Sequence, residues 1–308
     1  MSTSETVIAV ENLSKHYGSV AAVENLSFSV QRGEIFGVVG PNGAGKTTTV
    51  ECLTGLRRAD QGQIRVLGFD PRSAERELRR RVGVQLQQAA LPDDILVWEA
   101  IDLFASFYPA PVDWRALLET WGLTEKARAR FNTLSGGQKQ RLFIALALVN
   151  DPELVILDEL TTGLDPQARR ATWELVERLR DDGKTVLLVT HFMDEAERLC
   201  DRVAVIDRGR LVALDTPRAL IHAVHAEARV RFSDPEHRDW SALRGLAGVH
   251  SIERRNGEVI VSGAGGLLLN VASALNEHGY QPADLRTEQV TLEDAFLALT
   301  GRAIREND

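Results

Sequence analysis

The chain has 308 residues, of which 44% are hydrophobic and 26% charged, and its net charge is −8. That length exceeds one comfortable core and predicts a large domain followed by a smaller one. The acidic balance argues against a nucleic-acid partner. The longest apolar run, Leu142 to Val149, falls short of the ~18–20 residues of a transmembrane helix.

In chain order, Val7, Ile8 and Val10, then Leu26, Phe28 and Val30, predict short strands. Residues 33–40 read as a buried strand ending in glycine, and a helix is expected from Lys46 to Leu56. Residues 75–150 read as mostly helical, with Pro92, Pro109 and Pro111 as punctuation. Buried strands follow at Leu154–Glu159, Thr185–Thr190 and Arg202–Asp207, separated by helices at Pro166–Arg180 and Met193–Cys200. A turn at Arg208-Gly209 precedes the end of the large domain. Apolar strands alternating with helices predict an α/β fold with a mostly parallel sheet.

The pattern changes after residue 225. Ala228–Phe232 reads as a strand, Trp240–Leu246 as a short helix, and Val249–Arg254 and Val259–Ser262 as a hairpin through Asn256-Gly257. A helix at Leu267–His278, a strand near Ala283–Arg286 and a helix at Thr291–Leu299 follow. The order βαββαβ predicts a ferredoxin-like α+β unit over 226–308, beside a first domain over 1–225.

Gly40-Pro41-Asn42-Gly43-Ala44-Gly45-Lys46-Thr47 fits GxxxxGK[ST]. Glycines let the backbone close around phosphate, and the free N–H groups and the helix start supply positive potential. Lys46 is expected on the β- and γ-phosphates of ATP and Thr47 on Mg²⁺, with Thr48 beside them. Leu154 to Asp158-Glu159 is an apolar strand ending in two carboxylates. In such folds the strand ends meet the ligand, so Asp158 is expected to hold Mg²⁺ and Glu159 to activate water. Ser135-Gly136-Gly137-Gln138 opens a second helix with free N–H donors, reaching Val149, and Ser135 reads as its cap.

Leu134-Ser135-Gly136-Gly137-Gln138, lying between the phosphate loop and Leu154–Glu159, resembles the signature of ABC ATPases over residues 5–222. The resemblance implies a P-loop NTPase with an antiparallel β subdomain and a helical subdomain over 88–150. It also implies a head-to-tail homodimer in which Ser135, Gly136, Gly137, Gln138 and Asp165 serve the partner's ATP. Tyr17 matches the adenine-stacking aromatic. Gln87 matches the glutamine that senses γ-phosphate and Mg²⁺, with Gln85 and Gln88 as rivals, and His191 matches the switch histidine. Where the family usually has proline after the carboxylate pair, this chain has Leu160, which predicts a looser turn.

Val82–Tyr108 and the ending Val290–Arg302 resemble ATPases of type-2 ABC exporters similar to daunorubicin-resistance transporters. That resemblance implies a separate transmembrane permease, export of a drug, antibiotic or lipid-like molecule, and a cytoplasmic subunit peripheral to the inner face of the membrane; the alternatives are a soluble ABC ATPase acting on ribosome or nucleic acid, or a non-hydrolysing nucleotide-regulated module. Leu91, Ile95, Val97, Trp98 and Phe104 are candidates for the groove that receives the permease. Cys52 and Cys200 lie far apart without metal-site spacing and read as packed thiols.

Overall fold

The structure, a computed structural model, describes residues 5–87, 89–224, 228–288 and 290–301. The chain divides into two compact units, one running to Pro217 and one spanning Arg218–Ala298. The domain boundary expected at 225–226 lies outside the described residues, as does Gln88.

In the first unit, β1 (Thr6–Tyr17) and β2 (Val20–Gln31) form a long hairpin turned at Gly18, where φ is 60°. These strands are longer than the apolar positions alone suggested, because polar residues between them keep the backbone paired. An unanticipated strand, β4 (Gln61–Val66), adds to the free edge of β1. The inner face of this antiparallel sheet packs Leu13, Leu26 and Phe28 against Phe36, Leu187 and Ala204 of the main sheet.

The main sheet has six strands in the order β5-β6-β7-β3-β8-β9. They are β3 (Ile35–Val39), β5 (Val82–Gln85), β6 (Leu154–Asp158), β7 (Thr185–Thr190), β8 (Arg202–Asp207) and β9 (Arg210–Asp215). All neighbours are parallel except β9, which returns antiparallel after Arg208-Gly209. Every residue of β3, β6 and β7 is buried, which is why those strands read as continuous apolar runs.

Strand β5 corrects the mostly helical reading of residues 75–150. Four residues are too few to show a period, and their pairing with β6 is a tertiary matter. The helix α1 (Lys46–Leu53) stops before the expected Leu56. The remaining helices are α2 (Glu75–Arg81), α3 (Val97–Ala105), α4 (Trp114–Thr120), α5 (Gly136–Ala147), α6 (Pro166–Asp181), α7 (Met193–Leu199) and α8 (Pro217–Ala223).

The second unit has a four-stranded antiparallel sheet in the order β11-β12-β10-β13. Its strands are β10 (Ala228–Ser233), β11 (Val249–Arg255), β12 (Glu258–Gly263) and β13 (Arg286–Glu288). Taken by chain rank the order is 2-3-1-4, the ferredoxin-like arrangement of a βαββαβ chain. The helix expected at Trp240–Leu246 is a 3₁₀ turn, Ser241–Gly245, and the last strand begins at Arg286 instead of ending there. Helix α9 (Leu267–Glu277) covers Val230, Phe232, Val259 and Val261, with Trp240 closing the end of this core. Helix α10 (Leu292–Thr300) is the last element.

Candidate active site

Parallel strands deliver their C-terminal ends to one edge of a sheet, and here three chemically loaded ends lie side by side. Strand β7 sits between β6 and β3. The phosphate loop therefore follows β3, Asp158-Glu159 ends β6, and His191 follows β7, all along one edge. The register confirms the alignment, since Val39 pairs with Thr190 and Asp158 with Val189.

The loop between β3 and α1 depends on its glycines. A Cβ at Gly40 would lie 2.1 Å from the Ile206 carbonyl oxygen, and one at Gly45 would lie 2.3 Å from that of Ala22. Gly45 also has φ +100°. The Lys46 ammonium is buried and donates to the carbonyls of Gly40 at 2.9 Å and Pro41 at 3.2 Å. Burial lowers the pKa of Lys46, with Glu159 and Asp158 opposing. Pro41, Asn42, Gly43 and Ala44 complete the loop, and Thr47 is exposed at its mouth with Thr48 half-buried behind it.

Glu159 is the hub. Its backbone stands at φ 54° and its N–H donates to the Val189 carbonyl at 2.8 Å, which ties the end of β6 to β7. One carboxylate oxygen lies 3.7 Å from Lys46 Nζ. The other lies 2.7 Å from His191 Nδ1 and accepts from the Thr162 hydroxyl at 3.0 Å. The His191 contact is at ion-pair distance, although its N–H direction falls short of hydrogen-bond alignment. Burial pushes the Glu159 carboxyl up, but His191, Lys46 and Thr162 outweigh it and leave the pKa below the ordinary value. Glu159 is therefore an ionised carboxylate at neutral pH.

Asp158 differs from its neighbour. It is fully buried, and neither oxygen completes a hydrogen bond. Burial first, then the charge of Glu159, push its carboxyl up to about 6, while Lys46 and the facing Thr47 hydroxyl pull it back. A buried carboxylate with both oxygens orphaned wants a cation. With the Thr47 hydroxyl it offers hard oxygen donors at a loop mouth, which suits Mg²⁺ with retained waters.

The other sequence-predicted residues lie apart from this cluster. Ser135 caps α5 in a reciprocal box with Gln138, at 3.3 and 3.0 Å, and Gly136 is exposed. Gly137 is buried, and a Cβ there would lie 3.1 Å from that of Ala168 on α6. Among the described residues, no hydrogen bond or ion pair links 135–138 to the phosphate loop. Asp165 caps α6 by accepting from the N–H groups of Gln167 and Ala168, each at 2.9 Å. Gln87 is exposed just beyond β5, whereas its rival Gln85 is buried and donates to the Leu86 carbonyl at 2.9 Å. Tyr17 ends β1 with its ring 5.2 Å from the Arg57 guanidinium and 5.7 Å from the Lys15 ammonium. Leu160 is fully buried, so a core side chain anchors the turn after Glu159 where looseness was expected.

A cavity of about 430 Å³ opens beside β5, lined by Leu78, Val84, Leu86, Leu91, Phe104 and Phe143 among others. Leu91 and Phe104, two of the candidates for the permease groove, are in this lining. Val97 is fully buried instead, and Ile95 and Trp98 are not part of the lining. Reading the sequence alone missed Thr162 as a partner of Glu159, since a hydroxyl three residues past a strand end carries no distinctive signal.

A phosphate loop at the head of α1, with a carboxylate pair ending a neighbouring parallel strand, defines a P-loop nucleotide-binding protein. The comparisons narrow this class. Residues 23–162 match the family model described as ABC transporter. A relative from Paraburkholderia xenovorans, "Nod factor export ATP-binding protein I", is 43% identical over 98% of this chain and 99% of its own length. The protein of the same name from Ralstonia nicotianae is 40% identical, covering 98% and 96%. A solved "ATP binding subunit of ABC transporter" superposes with a TM-score of 0.64 at 29% identity, over 71% of this chain and 93% of its own. A dimeric ATP-binding cassette in a post-hydrolysis state with ADP and Pi gives 0.61 at 27% identity, covering 68% and 98%. The chain belongs to the ABC transporter family as an ATP-binding subunit, an ATPase by family. Among the described residues no helix is long and apolar enough to cross a membrane.

Proposed function

We propose that this subunit hydrolyses ATP at Glu159 and that the resulting opening and closing of a homodimer drives export through a separate permease. The observation that carries this reading is the Glu159 carboxylate, held between Lys46 at 3.7 Å and His191 at 2.7 Å beside the phosphate loop.

The roles follow from the chemistry. The phosphates of ATP lie on the N–H groups of Gly40–Thr47, and the Lys46 ammonium exchanges the Gly40 and Pro41 carbonyls for phosphate oxygens. Tyr17 offers its half-exposed ring to the adenine. Ionised Glu159 accepts a proton from the attacking water, and His191 orients that carboxylate and meets the γ-phosphate. Bound Mg²⁺ supplies charge neutralisation at the phosphate oxygens, and Thr47, Gln87 and Asp158 would hold it. Ser135, Gly136, Gly137, Gln138 and Asp165 are spare donors and caps, suited to the γ-phosphate face of a second copy bound head-to-tail.

The apolar cavity beside β5, with Leu91 and Phe104 in its lining, supports docking of the permease there, with the subunit at the cytoplasmic face of the membrane. The direction of transport takes its support from the export named for the relatives, and the cargo is a small drug, antibiotic or lipid-like molecule. The second unit, Arg218–Ala298, is an accessory domain. Isolation of the full chain from membranes with an integral subunit, together with ATP-dependent phosphate release, tests this reading. A chain that never co-isolates with a membrane subunit would overturn the transport half, and one that releases no phosphate would overturn the enzymatic half.

A further inference from the structure

Among the buried groups that this chemistry leaves unused, Glu195 stands out. It lies on α7, fully buried, and among the described residues no cation pairs with it. Its Oε1 accepts from the Trp173 indole N–H of α6 at 3.1 Å. The hydroxyls of Thr190 and Thr161 also face the carboxylate, although Oε2 and the Thr161 oxygen complete no hydrogen bond of full geometry. Burial raises the Glu195 pKa, against the pull of these three donors. A buried carboxyl without a charged partner is expensive even with these donors, and an apolar side chain there would pack at lower cost.

The positions of the two threonines give the expense a purpose. Thr190 directly precedes His191, and its hydroxyl oxygen accepts the Phe192 N–H at 3.0 Å, which shapes the backbone through His191. Thr161 lies two residues past Glu159. The loops that carry Glu159 and His191 thus meet one carboxylate. A second contact runs in the same direction. The Arg169 guanidinium of α6 lies 5.2 Å from the Trp173 ring, 5.4 Å from the Phe192 ring and 2.5 Å from Asp194. Phe192 in turn packs against the His191 ring with centroids 4.0 Å apart.

We propose that Glu195 is a positioning residue: tied to α6 through Trp173, it holds the Glu159 loop and the His191 loop in the register that keeps the Glu159 carboxylate and the His191 imidazole together. The consequence for turnover rests on the reading of Glu159 above, whereas the register itself does not. Helix α6 begins at Pro166, beside Asp165, so the same clasp connects the segment assigned to the dimer interface with the hydrolytic pair.

The test compares the full chain with Glu195→Ala, Glu195→Gln and Trp173→Phe, each with its own thermal melt. Misplacing reacting groups by an ångström costs about a hundredfold. Glu195→Ala should therefore lower kcat by about ten- to a hundredfold with KM for ATP changed less than about twofold. Glu195→Gln keeps an acceptor for Trp173 and should restore kcat to within about threefold of wild type. Trp173→Phe, which keeps the ring under Arg169 but loses the N–H, should fall between them and covers the case in which Glu195→Ala does not fold. Hydrogen exchange at residues 161–164 and 190–193 should quicken in Glu195→Ala and Trp173→Phe but not in Glu195→Gln. Unchanged exchange, an unchanged kcat, or a loss shared equally by kcat, KM and melting temperature would overturn the proposal. Glu159→Gln, run alongside, separates the two readings. If it kept turnover, the assignment of Glu159 would fall, while the exchange data would still decide whether Glu195 holds the loops.

Discussion

Gly40→Ala tests the phosphate loop through packing alone. Gly40 has an ordinary φ, so no left-handed strain is involved, but its Cβ would lie 2.1 Å from the Ile206 carbonyl oxygen and 3.1 Å from Ala44 Cβ. Ile206 pairs with Leu211 of β9 and directly follows Val205, which pairs with β3, so its carbonyl cannot yield cheaply. Overpacking of this kind costs about 1–3 kcal/mol. In a domain of this size each kcal/mol moves the melting temperature about 2–4 °C, so a fall of roughly 2–12 °C is expected. The second effect is on binding. Gly40 opens the loop whose N–H groups are assigned to the phosphates, and shifting its backbone away from Ile206 misaligns those donors. A charge-assisted contact is worth about 1.5–3 kcal/mol, so ATP affinity should fall about ten- to a hundredfold. Gly43→Ala is the contrast. It has φ +80° but no atom within 4 Å of the new methyl, so only left-handed strain of about 1–2 kcal/mol applies. Thermal melts with and without Mg-ATP, together with equilibrium dialysis, read both quantities. Wild-type stability and affinity in Gly40→Ala, or a larger stability loss in Gly43→Ala, would refute the steric argument.

Leu91→Asp places a charge in the cavity beside β5; co-isolation with the permease should fall about five- to a hundredfold, from the roughly 1–3 kcal/mol expected for an unpaired polar group in an apolar contact, while basal ATP hydrolysis stays unchanged. Cys52 and Cys200 are both buried, and burial pushes the Cys52 thiol up to about 11 and the Cys200 thiol well above its ordinary value. Both should resist iodoacetamide at pH 8 in the folded chain and react in denaturant. Because these acids have raised folded pKa values, their share of stability is full below about pH 8.5 and is lost as pH rises towards 11, which melts at stepped pH will show. Asp234 is buried, accepting from Trp240 Nε1 at 2.9 Å and lying 3.0 Å from Arg254. Since Arg254 is partly exposed, Arg254→Ala should destabilise by only about 1–2 kcal/mol, read by denaturant unfolding.

What the sequence made legible was whatever sits in a contiguous run. The loop Gly40–Thr47, the cap Ser135 with Gln138, and the buried strand ending in Asp158-Glu159 each carry their own spacing, and the structure places each at the element predicted. Pairings between distant segments were hidden. That β7 lies between β6 and β3, and so sets His191 against Glu159, is a matter of strand order that no local period encodes. Strands β5 and β9 were missed because four or six residues beside helices and turns look like punctuation. Glu195 was invisible for a different reason. On α7 it stands beside Asp194 and near Glu197, and only the approach of Trp173, Thr161 and Thr190 sets it apart as a buried carboxyl. The second unit was legible where it had the Asn256-Gly257 turn. Its last strand, three residues long, had no pattern to place it.

The most direct test of the central claim is ATP turnover by Glu159→Gln. Glutamine keeps the shape of the side chain and frees Lys46 from its anionic neighbour, so ATP should bind at least as well as in wild type. Without a general base, turnover should fall by about 10²–10⁴-fold, and the ATP-bound dimer should accumulate on size exclusion. Turnover within about threefold of wild type would show that the carboxylate at the end of β6 is not the group that activates water.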